Sequence, residues 1–190
     1  MSDPDPSDET LMARYAGGDA AAFETLYRRH EMRTWRYLER NVGSRAIAEE
    51  LMQEVWFAVA RDAARYRPTA RFTTWLFAIA RNRMIDALRA RRPQVSLEAL
   101  GLEAAPVLER LTAEPAAGPL AAVEARERST ALRESLAQLP SEQRDAFLLQ
   151  LEGDLSVEEV AAITGSSFET AKSRLRYART KLRELLSEHA

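Results

Sequence analysis

The sequence predicts an all-α protein of two small helical domains joined by a flexible acidic linker. Three observations carry that expectation. Apolar residues recur at helical spacing through most of the chain, and no strand-like alternation runs long enough to suggest a sheet. Between Pro93 and Val123 that periodicity stops, and Pro93, Pro106, Pro115 and Pro119, two glycines and repeated Ala and Glu replace it. Beyond it, residues 156–183 (SVEEVAAITGSSFETAKSRLRYARTKLR) read as a short helix, a glycine turn and a longer basic helix. The expected units are therefore 1–92, a linker over 93–123, and 124–190.

In chain order, a first helix is expected from about Asp8, a good cap, to the Gly17-Gly18 break. Asp19 can cap a second that continues to about Val42 before Gly43, and Ser44 can cap a third. In the third, Ile47, Leu51, Val55, Ala58 and Val59 define a core stripe, and Glu49, Glu50, Gln53 and Glu54 form an acidic opposite face. After a break around Arg67-Pro68, Phe72, Trp75, Leu76, Ile79 and Leu88 mark the apolar side of a fourth helix. Its outer side is expected to carry Arg81, Asn82, Arg83, Arg89, Arg91 and Arg92. The rings of Trp56, Phe57, Tyr66, Phe72, Trp75 and Phe77 cluster where the third helix gives way to the fourth. Most are expected to fill the core, although rings interleaved with Arg65, Arg67 and Arg71 also suit stacking on unpaired bases.

In the second domain, Ser156 and Glu159 have the spacing of a capping box, Gly165 permits a sharp turn, and Ser167 can cap the following helix. Val160, Ala161, Ala171 and Leu175 fall where the two helices must face each other. The segment from Lys172 to Arg183 carries six basic residues and no acid. A solvated basic face on a core helix is the plain alternative; the turn chemistry at the right offset favours a helix-turn-helix DNA reader.

Composition narrows the function. The net charge of −2 conceals segregation: 16 basic and 13 acidic residues in 1–92, one and four in 93–123, ten and twelve in 124–190. With no cysteine and only His30 and His189, thiolate chemistry is excluded and metal or acid–base enzymology starts poorly supplied. No cofactor and no metal are expected. No apolar run is long enough to span a membrane, and MSDPDPSDET is acidic where a secretory signal would be basic, so a cytoplasmic protein is expected.

Four strings, AAFETLYRRH (21–30), AEELMQEVWFAVAR (48–61), RFTTWLFAIARNRMIDALR (71–89) and LPSEQRDAFLLQLEGDLSVEEVAAITGSSFETAKSRLRYARTKLRELL (139–186), occur in an order and spacing that resemble the extracytoplasmic-function (ECF) subgroup of the sigma-70 transcription initiation factors. The resemblance implies an all-helical region two that melts and reads a promoter's minus-ten element, and a region-four helix-turn-helix that reads the minus-thirty-five element. It places Glu50, Gln53 and Glu54 against the clamp helices of the largest subunit of core RNA polymerase. It assigns Tyr66, Arg67, Arg71, Phe72, Trp75 and Asn82 to minus-ten DNA, with Tyr66 stacking on a flipped base, Asn82 bonding its edge, and Trp75 supporting the loop. It assigns Thr170, Lys172, Ser173, Arg174, Arg176, Tyr177 and Arg179 to minus-thirty-five DNA. The acidic linker, with Glu98, Glu103, Glu109 and Glu114, would thread toward the polymerase active site, and an anti-sigma factor is the expected regulatory partner.

Departures from the family pattern include Thr164 and Ser166 at positions usually apolar, Ala171 for the usual Val, Glu169 for Gly, Tyr177 for a basic residue, and Pro68-Thr69 for Gly and an acid. The helix pair around the turn is thus expected to pack less firmly than usual. No catalytic residue is implied, since the polymerase performs the chemistry. Two other readings are a sigma-like mimic that occupies an anti-sigma factor and a helix-turn-helix repressor binding a two-fold operator.

Overall fold

The computed structural model describes residues 5–91 and 129–187, and every regular element among them is helical. The expected linker, with its acids, and Arg92 and His189 lie outside the described residues. Helix α1 spans Asp8–Ala16, α2 Ala20–Val42, α3 Arg45–Asp62 and α4 Phe72–Arg91, with a 3₁₀ turn at Ala63–Arg65. Residues 129–137 are helical (α5), followed by α6 (Ser141–Gly153), α7 (Val157–Thr164) and α8 (Phe168–Ser187).

The helix ends follow cap chemistry. Asp19 accepts from the Ala21 and Ala22 N–H groups at 3.1 and 3.4 Å, and Gly43 ends α2 in the left-handed conformation at φ 66°. Ser44 occupies the cap position of α3 without a side-chain bond. One cap differs from expectation: Ser7, not Asp8, caps α1, its Oγ accepting from the Thr10 N–H at 3.2 Å. Asp8 instead reaches across to α2, where Arg29 and His30 each lie 2.7 Å from a carboxylate oxygen.

The α3 stripe is as expected, with Leu51, Val55, Ala58 and Val59 all at most 2% exposed. Among the clustered aromatics, Phe72 and Phe77 are fully buried and Trp56 nearly so, but Phe57 is 71% exposed. It lies one turn from Gln53 and Glu54, on the exposed side of α3. Leu88, expected on the apolar side of α4, is 41% exposed.

Buried residues of both units belong to one contiguous core. Helix α6 packs along α2, and α7 and α6 meet α4. Two carboxylates sealed in this seam are paired. Asp145 accepts from the Tyr37 hydroxyl at 2.8 Å and from Arg81 at 2.7 Å, while Glu152 is held by Arg40 at 2.5 Å and faces Arg36 at 3.5 Å. Arg81 also donates to the Ile163 carbonyl, and Thr74 donates to Glu159. Arg81 was expected on the outer basic face of α4. It turns inward because α6 and α7 cover that face and supply a carboxylate.

Candidate nucleic-acid and polymerase interfaces

The chain between α3 and α4 builds a cavity of about 310 Å³ lined by Arg61, Asp62, Arg65, Tyr66, Trp75 and Ile79. Helix α3 supplies the Arg61–Asp62 ion pair, the 3₁₀ turn Arg65, and α4 Trp75 and Ile79; Tyr66, just past the 3₁₀ turn, stands between them. The Tyr66 and Trp75 rings lie 5.0 Å apart and tilted by 53°, both only half-buried. Burial, then the charges of Glu9 and Asp8, push the Tyr66 phenol above its ordinary range, so at neutral pH it is an uncharged stacking surface. Arg61 grips Asp62 with two bonds of 3.0 and 2.7 Å, and this contact holds the Asp62 carboxyl below its usual range. A half-open slot with ring faces, an apolar floor and guanidinium groups at its rim has the chemistry to accept one unstacked base and its phosphate.

Of the residues expected around minus-ten DNA, Tyr66 and Trp75 line this cavity. Arg67 is exposed on the loop and bonds the Ala64 and Tyr66 carbonyls; Asn82 is exposed on α4 and is not part of the cavity lining. Phe72 lies behind these rings. It is fully buried, backs Tyr66 at 6.2 Å and Trp75 at 6.0 Å, and so supports the rings. Arg71 is exposed but occupied, donating to the Asp154 carbonyl in the α6–α7 turn at 2.9 Å. Sequence reasoning missed Arg61, Asp62 and Ile79, which reach the cavity only because α3 and α4 are packed side by side.

The second interface is the outer side of α8. Ala171, Leu175, Ala178, Leu182 and Leu185 are buried, which leaves Lys172, Arg176, Tyr177 and Arg179 exposed. The Ser156–Glu159 capping box is formed, Gly165 sits at φ 63°, and Ser167 accepts from the Thr170 N–H at 3.2 Å. Thr164 and Ser166, polar where apolar residues are usual, bond each other at 2.9 Å, and Thr164 also bonds the Val160 carbonyl, so the turn carries no unpaired hydroxyl. Lys172 lies 5.7 Å over the Phe168 ring. Arg176 stacks 4.9 Å over Tyr177, so the two form one surface unit. Ser173 and Arg174 are half-buried, and Arg174 pairs with Glu142 of α6.

A third surface lies on α3. Glu50, Gln53 and Glu54 are exposed together, with Arg91 bonded to Glu50. Phe57 stands one turn beyond Gln53 and Glu54 on the same face. An exposed ring beside carboxylates has the composition of a protein-docking patch. Among the described residues no group of His, Asp and Glu is placed to hold a metal ion, and no helix is long and apolar enough to cross a membrane.

Residues 26–94 match the family Sigma-70 region 2, and residues 129–182 match Sigma-70, region 4. RNA polymerase sigma factor CarQ of Myxococcus xanthus is 35% identical over 177 residues, covering 93% of this chain and 96% of its own. ECF RNA polymerase sigma factor RpoE of Cereibacter sphaeroides is 34% identical over 172 residues, covering 89% and 88%. Among solved structures, sigma factor RpoE of Bartonella quintana, in complex with the anti-sigma factor NepR, superposes with a TM-score of 0.68 at 23% identity, covering 87% of this chain and 96% of its own.

Proposed function

Because the chain belongs to the sigma-70 family, in its extracytoplasmic-function subgroup, we propose that it directs core RNA polymerase to promoters and starts DNA-templated transcription there. Residues 1–92 act as region two and 124–190 as region four, joined through 93–123. Members of this family are transcription initiation factors, and the chemistry belongs to the polymerase. Polymerase and chromosomal DNA place the protein in the cytoplasm. One observation supports the reading most strongly: a ring-walled cavity in the first unit and an exposed basic helix in the second, in the order the family requires.

Region four lays α8 in the major groove, where Lys172, Arg176 and Arg179 neutralise phosphates or meet guanine edges, and Thr170, Ser173 and Tyr177 complete the contact. Arg174 braces α8 on α6 through Glu142. Region two receives the unstacked minus-ten base against the face of Tyr66, which Trp75 backs; Asn82 bonds its edge, and Arg67 and Arg71 hold the strand. Arg71 becomes available once it leaves the Asp154 carbonyl. Glu50, Gln53, Glu54 and Phe57 dock on the clamp helices of the largest polymerase subunit, and an anti-sigma factor regulates the protein by covering these faces.

The test is in vitro transcription with purified bacterial core polymerase and fragmented genomic DNA of the source organism, sequencing RNA start sites with and without the protein. Start sites that need the protein, each preceded by two motifs at fixed spacing, are the expected result. No new starts from folded protein and active core would overturn the reading and leave the mimic that binds an anti-sigma factor.

A further inference from the structure

Helix α1 precedes residue 26, where the region-two match begins, yet it is tied to the cavity by two consecutive acids that point in different directions. Asp8 anchors backward onto α2 through Arg29 and His30, and Arg29 also takes the Pro6 carbonyl at 2.8 Å. Glu9 reaches forward and accepts the Phe72 backbone N–H at 2.9 Å. Phe72 opens α4, so its N–H has no partner within its own helix, and a carboxylate there also meets the positive end of the helix dipole. This hydrogen bond is the first cause of a Glu9 carboxyl held below the ordinary glutamate range.

Phe72 is the hub of the aromatic cluster. Its ring touches Tyr66 at 6.2 Å, Trp75 at 6.0 Å and His30 at 5.3 Å. Helix α1 also packs against the 3₁₀ turn that precedes Tyr66. The same short helix therefore braces both ends of the 66–71 loop, at the turn where the loop leaves α3 and at the residue where α4 begins. Moving the start of α4 moves Trp75 and Ile79 relative to Tyr66.

We propose that Glu9 is a positioning residue for strand opening: by capping α4 at Phe72 it fixes Phe72 and Trp75 behind Tyr66, the ring on which the unstacked base stacks. This rests on the promoter-opening function above and adds residues 5–16 to that machinery.

The experiment compares the full chain with Glu9→Ala and Glu9→Gln, each assembled with bacterial core polymerase on a promoter fragment recovered from the start-site selection. Permanganate reactivity of unpaired thymines reads opening, titration of fluorescent core reads assembly, and hydrogen exchange reads the Phe72 amide. Glu9→Ala is expected to lower opening roughly tenfold and speed Phe72 exchange by a similar factor, with core affinity unchanged. Glu9→Gln retains an acceptor oxygen and is expected to recover most of the opening. Opening by Glu9→Ala equal to wild type overturns the positioning role alone. A loss of opening matched by lost core affinity, or by faster exchange throughout α2 and α3, overturns it in favour of general destabilisation. A wild-type chain that opens no promoter overturns the functional reading together with this inference.

Discussion

Asn82 was readable from the sequence as a group that could bond a base edge, whereas the cavity beside Tyr66 was only half readable. Tyr66 and Trp75 announce themselves as rings beside arginines; Arg61, Asp62 and Ile79 look like ordinary helix positions until α3 and α4 are packed together. Asn82→Ala is expected to reduce open-complex formation about tenfold, the size of one lost base-edge contact, with core polymerase affinity retained. Permanganate footprints at limiting protein check it. Glu9 carries an acid signature. Its carboxyl is depressed from the ordinary 4.5, so the stability it contributes is complete above that value and is lost as pH falls through the folded pKa. In urea denaturation between pH 5 and about pH 3, the wild-type midpoint should therefore fall more steeply than that of Glu9→Gln.

At the scale of the element, caps and turns were the most legible features because their chemistry is local. Asp19, Gly43, the Ser156–Glu159 box, Gly165 and Ser167 all sit where the sequence put them. Where two adjacent residues could both cap, as Ser7 and Asp8, local chemistry left the choice to partners on α2. Gly165 lies at φ 63°, and a Cβ added there meets nothing within 4 Å. Gly165→Ala should therefore cost about 1 kcal/mol through backbone strain alone, visible as lower thermal stability of α6–α8 with the fold intact. Helix α3 is amphipathic in an unusual sense, because its outer face carries Phe57 among carboxylates. Gln53→Ala with Glu54→Ala should weaken polymerase binding. Phe57→Ser should do so by roughly 2 kcal/mol if the ring is a desolvated anchor, measured by competition for labelled core.

Taken as a whole, the molecule is packed in a form that cannot engage both promoter elements at once. Elements named minus ten and minus thirty-five lie about 25 base pairs apart, or ~85 Å of duplex at ~3.4 Å per step, whereas a compact chain of this length is about 40 Å across. The 37 residues between Arg91 and Ser129 supply a reach of up to ~120 Å, enough to let the units part. What holds them is the seam of Asp145 with Tyr37 and Arg81, and of Glu152 with Arg40. Asp145→Ala leaves the buried Tyr37 phenol unpaired and Arg81 without its carboxylate, and should weaken the packing by roughly 2 kcal/mol. Gly153→Ala attacks the same seam sterically, since a Cβ there would lie 2.9 Å from Leu155 and 3.3 Å from Phe77. Energy transfer between dyes on R28C and R183C, in a chain with no native cysteine, should fall in both variants. Transfer unchanged from wild type would remove the seam as the closure.

By itself the sequence determined the four helices of the first unit, the helix-turn-helix of the second, most of their caps and the recognition pattern, because periodicity, caps and motif spacing act over one or two turns. Only the tertiary structure decided that Arg81 and Arg71 face the other unit, that Phe72 backs the rings, and that Glu9 caps a helix 63 residues away. An arginine on an amphipathic helix reads the same whether it meets a phosphate or a carboxylate. Its partner is chosen by which face another helix covers, and that is settled by burial across the whole chain.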